Sequence, residues 1–221
     1  MPITLTHKDQ TPFLNDEPFI SKCENSSFVD LLFEMLSERR PSKDEGKLLE
    51  LVMKLSIDHG PDTPSACAVI ENAESGNSVS VALSRGVEKI DDSHGGAGEN
   101  AMKMFYRIKK DGLDTRNIVK EHLSAETRVP GFGHRLYDKD IRAEEILNEM
   151  VRVKIGVEYV EIARKIESAL RELTSKTLPI NIDGAHAVAF CAFGFDPSLA
   201  KPIFIISRIP GLSAHYLNNK K

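Results

Sequence analysis

Apolar residues in this chain recur at intervals of three and four, and that spacing constrains the fold more than any other feature. Leu48, Leu49, Leu51, Val52 and Leu55 form one stripe, and Ile162, Ile166, Ala169, Leu170 and Leu173 form a cleaner one. Side chains so spaced share one face of an α-helix, whereas a half-buried strand needs strict alternation. From Ser27 the same period runs through Phe28, Leu31, Leu32 and Met35. Val79-Ser80-Val81 alternates, but Ala82, Leu83 and Val87 continue it at helical period. Ser42 with Glu45 three residues later, just after Pro41, has the form of a capping box and starts a helix. Further helices are predicted over Ala66 to Glu74, from the Gly95-Gly96 pair to Gly112, over Arg142 to about Lys154, from Asp183, and from Leu199 to the end with a break at Pro210. No segment reads as a strand, and residues 1–26 read as an extension with weak local structure. The predicted class is all-α, with helices joined by short turns.

Bulk numbers exclude several functions. With 221 residues, 41% apolar and 28% charged, the chain suits one large or two small globular domains. A formal charge of −4 offers no basic footprint for nucleic acid, and no polybasic segment faces a membrane. The start, MPITLTHKDQ, lacks the form of a signal peptide, and no run of about eighteen apolar residues occurs, so a cytoplasmic protein is expected. Cys23, Cys67 and Cys191 are odd in number and widely spaced, which predicts three buried thiols with neither disulfide nor zinc site.

Chemistry concentrates where helical patterns break beside glycine. His59, His94 and His134 each stand there. No HExxH or tight His/Cys cluster exists, so no metal is expected. GFGHRL lacks the third glycine of a dinucleotide fingerprint, and no GK[ST] occurs. Gly95-Gly96 opens a helix, where amides can hold an anion or polarise a carbonyl. Asp183, in NIDGAHAVAF, has two readings: a helix N-cap, or a carboxylate raised in pKa by apolar neighbours and able to act as a base. Arg142 and Arg208 lie near helix ends and could clamp carboxylates in a closed cleft.

Five ordered segments, DHGPDTPSACAVI (58–70), DDSHGGAGENAMKMF (91–105), VPGFGHRLYDKDIRA (129–143), NIDGAHAVAF (181–190) and SRIPGLSAHYL (207–217), resemble the citrate synthase family. The likeness is to its short branch, citryl-CoA lyase and the C-terminal citryl-CoA lyase module of ATP-citrate lyase. It implies a citrate synthase-like, two-lobed, all-α fold. Residues 27–95, completed by 189–221, would form a large dimerising lobe, and 96–188 a small lobe with the CoA loop. The resemblance assigns catalysis to His94, His134 and Asp183, substrate-carboxylate binding by fixed positive charge to His59, Arg142 and Arg208, and CoA binding to Arg128, Val129, Gly131, Phe132, Gly133 and Arg135. The HRLYDKDIR stretch is one residue shorter than the family's usual His-to-Arg spacing.

The activity so implied is cleavage of citryl-CoA to acetyl-CoA and oxaloacetate by His/His/Asp acid–base chemistry. A neutral donor at the thioester oxygen lowers the cost of an enolate, and a desolvated carboxylate handles the carbon-bound proton. The alternative is condensation of an acyl-CoA with oxaloacetate, which the same trio serves. By the resemblance, both a longer N-terminal portion and a C-terminal arm lie outside this chain. The arm's absence motivates a third reading, a non-catalytic CoA-binding paralogue. The expected partners are these small molecules and a second copy of the chain, in a homodimer or higher homo-oligomer. No nucleic acid, membrane or permanently bound cofactor is expected, the coenzyme A thioester being a substrate.

Overall fold

The computed structural model describes residues 3–91, 95–134 and 138–221. Contacts divide the chain into two compact units, residues 1–51 and 52–221.

The first unit departs from the sequence expectation. Strands β1 (Thr6–Lys8), β2 (Thr11–Leu14) and β3 (Glu17–Pro18) form an antiparallel meander, with Thr6 opposite Phe13 and Leu14 opposite Glu17. Asp9 and Gln10, then Asn15 and Asp16, carry the positive φ angles that two-residue hairpin turns require. The strands are short and mostly exposed, so no alternation marks them. Helices α1 (Phe19–Asn25) and α2 (Phe28–Ser37) follow. Ser27 and Asp30 cap α2 reciprocally. Its buried face carries Phe33 and Glu34, while Phe28, placed on the predicted stripe, is exposed. Helix α3 (Lys43–Leu55) has the predicted capping box: Ser42 N–H donates to Glu45 Oε2 at 2.8 Å, and Glu45 N–H to Ser42 Oγ at 3.3 Å.

Among the described residues, the regular elements of the second unit are all helices. Helices α4 (Pro64–Glu74) and α5 (Val79–Glu88) pack together and against α11 (Ala200–Asn219) around Ala66, Val69, Ala82 and Leu212. Small residues allow this close approach. A Cβ on Gly86 would lie 2.5 Å from Val69 Cγ2. Helices α6 (Gly98–Asp111), α7 (Thr115–Ser124), α8 (Ile141–Val153) and α9 (Val157–Thr174) come between α5 and α10 (Ile182–Phe193) in the chain. Gly112 closes α6 in the left-handed conformation, as its position predicts. Helix α7 was not read from the sequence, although Asp114 caps it. Almost every residue of α10 is buried, and α6, α8 and α9 pack around it. A helix apolar on all sides belongs at the centre of such a bundle.

Two further expectations are corrected. Helix α11 runs unbroken through Pro210. Proline removes one helical hydrogen bond, but Ser207, Arg208, Gly211 and Leu212 on either side are buried and hold the turns. Of the three cysteines, all free thiols, Cys191 is buried while Cys23 is exposed and Cys67 partly so. Cys23 lies on a short helix that leaves this side chain in solvent. Among the described residues no helix is long and apolar enough to cross a membrane, and no group of three or more His, Cys, Asp or Glu side chains could hold a metal ion.

Candidate active site

Two glycines bring two of the sequence motifs together. The carbonyl of Gly131 accepts from Asn181 N–H at 3.0 Å, and Gly133 N–H donates to Pro179 O at 2.7 Å. Asn181 also donates from Nδ2 to Gly133 O at 2.9 Å, while its Oδ1 accepts from Gly184 N–H and caps α10. A Cβ on Gly131 would fall 2.6 Å from Gly184 Cα, and one on Gly184 would fall 2.2 Å from Gly131 O. Only glycine permits this approach at both positions, and Gly131 also has a φ of +83°. The loop carrying His134 is thereby fixed against the first turn of α10, which carries Asp183.

Because Asn181 is the N-cap, Asp183 is free of that duty and sits within the first turn. The residue is half-buried. Burial pushes its pKa up to about 6, against the opposing pull of the Arg208 and Arg142 charges and a hydrogen bond from the Ala97 backbone N–H. Its neighbour is the chain around 97–98, since the Ala97 N–H meets its carboxyl and a Cβ on Gly98 would lie 3.9 Å from its carbonyl oxygen. A Cβ on Gly95 would strike the Phe204 ring, and one on Gly96 would lie 2.4 Å from the Asp91 carbonyl oxygen.

The cationic side of the site is held from below. Asp140, 1% exposed, caps α8 and receives Arg142 Nε on Oδ1 at 3.0 Å and Nη2 on Oδ2 at 2.9 Å. Burial raises the Asp140 pKa, but the bidentate guanidinium outweighs it and holds the carboxylate ionised. Arg142 Nη1 donates to His59 Nδ1 at 3.1 Å. An arginine can only donate, so His59 accepts at Nδ1 and carries its proton on Nε2. Burial and the charges of Arg142 and Arg208 hold His59 below the usual imidazole range. His59 is therefore neutral with its proton on Nε2, whereas the resemblance implies a fixed positive charge there. The His59 and His134 rings meet edge to face with centroids 6.0 Å apart. Burial, then repulsion from Arg142, also lowers His134, against the attraction of Asp140. Arg208 is 2% exposed; its Nε donates to Ser56 O at 2.8 Å and its guanidinium lies 4.9 Å from the Phe204 ring centre.

A cavity of about 490 Å³ adjoins His134. Arg128, Val129, Phe132, Gly133 and His134 line it with Leu123, Thr127, Leu170, Thr174, Lys176 and Leu178. Four of the residues expected at coenzyme A thus line one apolar recess with a basic rim. Gly131 instead packs on Gly184. His94 and Arg135 lie outside the described residues.

The structure therefore gathers His59, His134, Arg142, Asp183 and Arg208 in one electrostatically coupled cluster. Sequence reasoning passed over Asp140, Ser56 and His186. Asp140 was legible as a capping aspartate two residues before Arg142. Ser56 contributes a main-chain carbonyl, which no side-chain pattern announces.

Comparisons with known proteins identify the family. A citryl-CoA lyase structure from Hydrogenobacter thermophilus superposes with a TM-score of 0.92 at 31% identity, covering 97% of this chain and 84% of that one. The ATP-citrate synthase subunit 1 of Sordaria macrospora is 30% identical over 203 residues, 83% of this chain and 30% of that protein. The citrate synthase of Haloferax volcanii is 27% identical over 209 residues, 93% of this chain and 55% of that protein. The chain thus spans from under a third to about half the length of these curated relatives. The family model described as citrate synthase, C-terminal domain, matches residues 4–221. With that match over nearly the whole chain and the helical fold in agreement, this chain belongs to the citrate synthase family.

Proposed function

We propose that this protein cleaves citryl-CoA to acetyl-CoA and oxaloacetate. The observation that carries the reading is the pairing of a carboxyl raised to about 6, Asp183, with two arginines and two neutral imidazoles beside an apolar, basic-rimmed cavity. The likeness to a citryl-CoA lyase over nearly the whole chain supports the direction.

In the proposed step His134 takes the proton of the substrate's tertiary hydroxyl. The adjacent carbon–carbon bond breaks, its electron pair passing into the thioester as an enolate while the hydroxyl carbon becomes the ketone of oxaloacetate. His94 donates to the enolate oxygen. Asp183, protonated at the start, delivers its proton to the enolate carbon and completes acetyl-CoA. A raised pKa serves this role, because an acid near 6 is available close to neutrality where an ordinary aspartate is not. Arg142, Arg208 and the Nε2–H of His59 bind the carboxylates, and the cavity at Arg128 to His134 receives the coenzyme. Arg135 contributes to a phosphate. Residues 96–188 close as a lobe over 27–95 and 189–221 and exclude water, and the active form is a cytoplasmic homodimer or higher homo-oligomer.

The test is synthetic citryl-CoA with oxaloacetate followed by coupled NADH loss. Turnover well above that of His134→Ala is expected. Thiol release from acetyl-CoA plus oxaloacetate, without cleavage, would assign the synthase direction instead. Coenzyme A binding by calorimetry with no turnover of either substrate would assign a non-catalytic binding role.

A further inference from the structure

His186 lies one turn beyond Asp183 on α10, is 2% exposed and has no part in the proton transfers above. Its ring packs 5.5 Å from Phe190 and 5.9 Å from Phe204, centre to centre. Its Nε2 is 2.7 Å from the hydroxyl of Ser56. That hydroxyl donates to Val52 O at 3.1 Å, so it meets His186 with a lone pair and the imidazole must donate from Nε2. Burial, reinforced by the Arg142 and Arg208 charges, pushes the His186 pKa down to about 3 and leaves the ring neutral.

The same Ser56 residue offers its main-chain carbonyl to Arg208 Nε. Phe204, which His186 contacts, is the ring beneath the Arg208 guanidinium. His186 therefore touches both supports of one arginine. Among the described residues that bond to Ser56 is the one hydrogen bond of the Arg208 side chain, and no buried side-chain polar atom lacks a partner, so the Nη groups are not sealed in and are left for a ligand.

We propose that His186 is a positioning residue for Arg208: its bond to Ser56 Oγ and its contact with Phe204 fix the guanidinium so that both Nη groups meet a substrate carboxylate. This rests on the reading of Arg208 as a carboxylate-binding group. A buried imidazole is a costly way to fill space, since its polar atoms must be satisfied. Its use here is directional, because a hydrogen bond specifies an angle that apolar packing does not.

The test compares His186→Phe, His186→Gln, Ser56→Ala and Arg208→Ala by calorimetric binding of citrate and, separately, of coenzyme A, with melting temperature recorded for each. His186→Phe keeps the ring volume and removes the donor. It is expected to weaken citrate binding about tenfold while coenzyme A affinity stays within about twofold. His186→Gln, which restores an Nε2 donor, is expected to recover most of the loss. Ser56→Ala keeps the carbonyl and removes the acceptor, and carries the test if His186→Phe does not fold. The pair His186→Phe/Ser56→Ala should be no worse than either single variant. Unchanged citrate affinity in both single variants, with binding lost in Arg208→Ala, overturns the positioning role and leaves the carboxylate reading intact. Equal losses for citrate and coenzyme A also overturn it, since they mark general structural damage. Unchanged citrate binding in Arg208→Ala, or no citrate binding by the unaltered protein, refutes the carboxylate reading and the positioning role with it.

Discussion

Asp183→Asn should make this protein more stable and inactive, and the structure sets the size of the gain. Folding moves the carboxyl from its ordinary 3.8 to about 6. Between those values the folded chain holds a proton that the unfolded chain has released. Stability therefore falls as pH rises through that window, and the loss is complete above about pH 6. At about 1.36 kcal/mol per pH unit the ionised carboxylate costs the fold at most about 3 kcal/mol near pH 8. The residue is only half-buried, and nearby solvent screens its charge, so about 1–3 kcal/mol is the reasoned range. Asparagine has nearly the same shape and keeps an oxygen for the Ala97 N–H, so it removes the charge with little else. For a chain of this size the gain is roughly 3–10 °C in melting temperature at pH 8. At pH 5, where the native aspartate is mostly protonated, the gain should shrink to about half. Calorimetric melts of both proteins across pH 5–8, with citryl-CoA turnover measured alongside, supply the check. A variant no more stable at pH 8, or one whose gain is the same at both ends, would refute a desolvated Asp183.

The proton count of the proposed reaction gives a second expectation. Cleavage begins with the proton on Asp183 and a neutral His134, and both groups titrate at or below the usual imidazole range. The kcat/KM for citryl-CoA should fall as pH rises above about 6, approaching tenfold per unit; a profile that climbs between pH 7 and 8 contradicts the acid role. Gly131→Ala places a methyl against Gly184 Cα and asks alanine for a φ of +83°, so a loss of about 2–4 kcal/mol with weakened coenzyme A binding is expected in denaturant melts and calorimetry. In the first unit Lys22 and Glu34 form an ion pair at 2.5 Å with side chains 1% and 3% exposed. Lys22→Ala leaves the Glu34 carboxylate only the Asn15 amide at 3.2 Å and Arg40 Nε at 3.9 Å and should cost about 3 kcal/mol, whereas Lys22→Met with Glu34→Leu should remain within about 1 kcal/mol of the starting protein in urea unfolding.

Most helices, though not α1 or α7, were legible because apolar period is a local property. The stripes at Leu48 to Leu55 and Ile162 to Leu173 needed only the next turn of the same helix to declare a face. The capping box at Ser42 and the stop at Gly112 were visible for the same reason. The strands at Thr6–Lys8, Thr11–Leu14 and Glu17–Pro18 were not, since their pairing is set by two tight turns and barely by side-chain alternation. Pro210 misled because local preference opposes a helix there, while burial on both sides of it holds the helix together.

Which residues could do chemistry was also local. His59, His134, Asp183, Arg142 and Arg208 stand out as polar groups beside glycines or at helix ends. How they act was decided in three dimensions. The two glycines Gly131 and Gly184 press a loop onto a helix start some fifty residues away, and that contact brings imidazole and carboxyl into one cluster. Asn181 takes the cap, so Asp183 is left for other work. Burial and the Arg142 contact keep His59 neutral, and the Ser56 carbonyl accepts from Arg208 Nε. The sequence determined most of the helices and the inventory of reactive groups, since both follow from neighbours along the chain. Protonation states and aim depend on desolvation and on partners distant in the chain, so tertiary structure alone decided them.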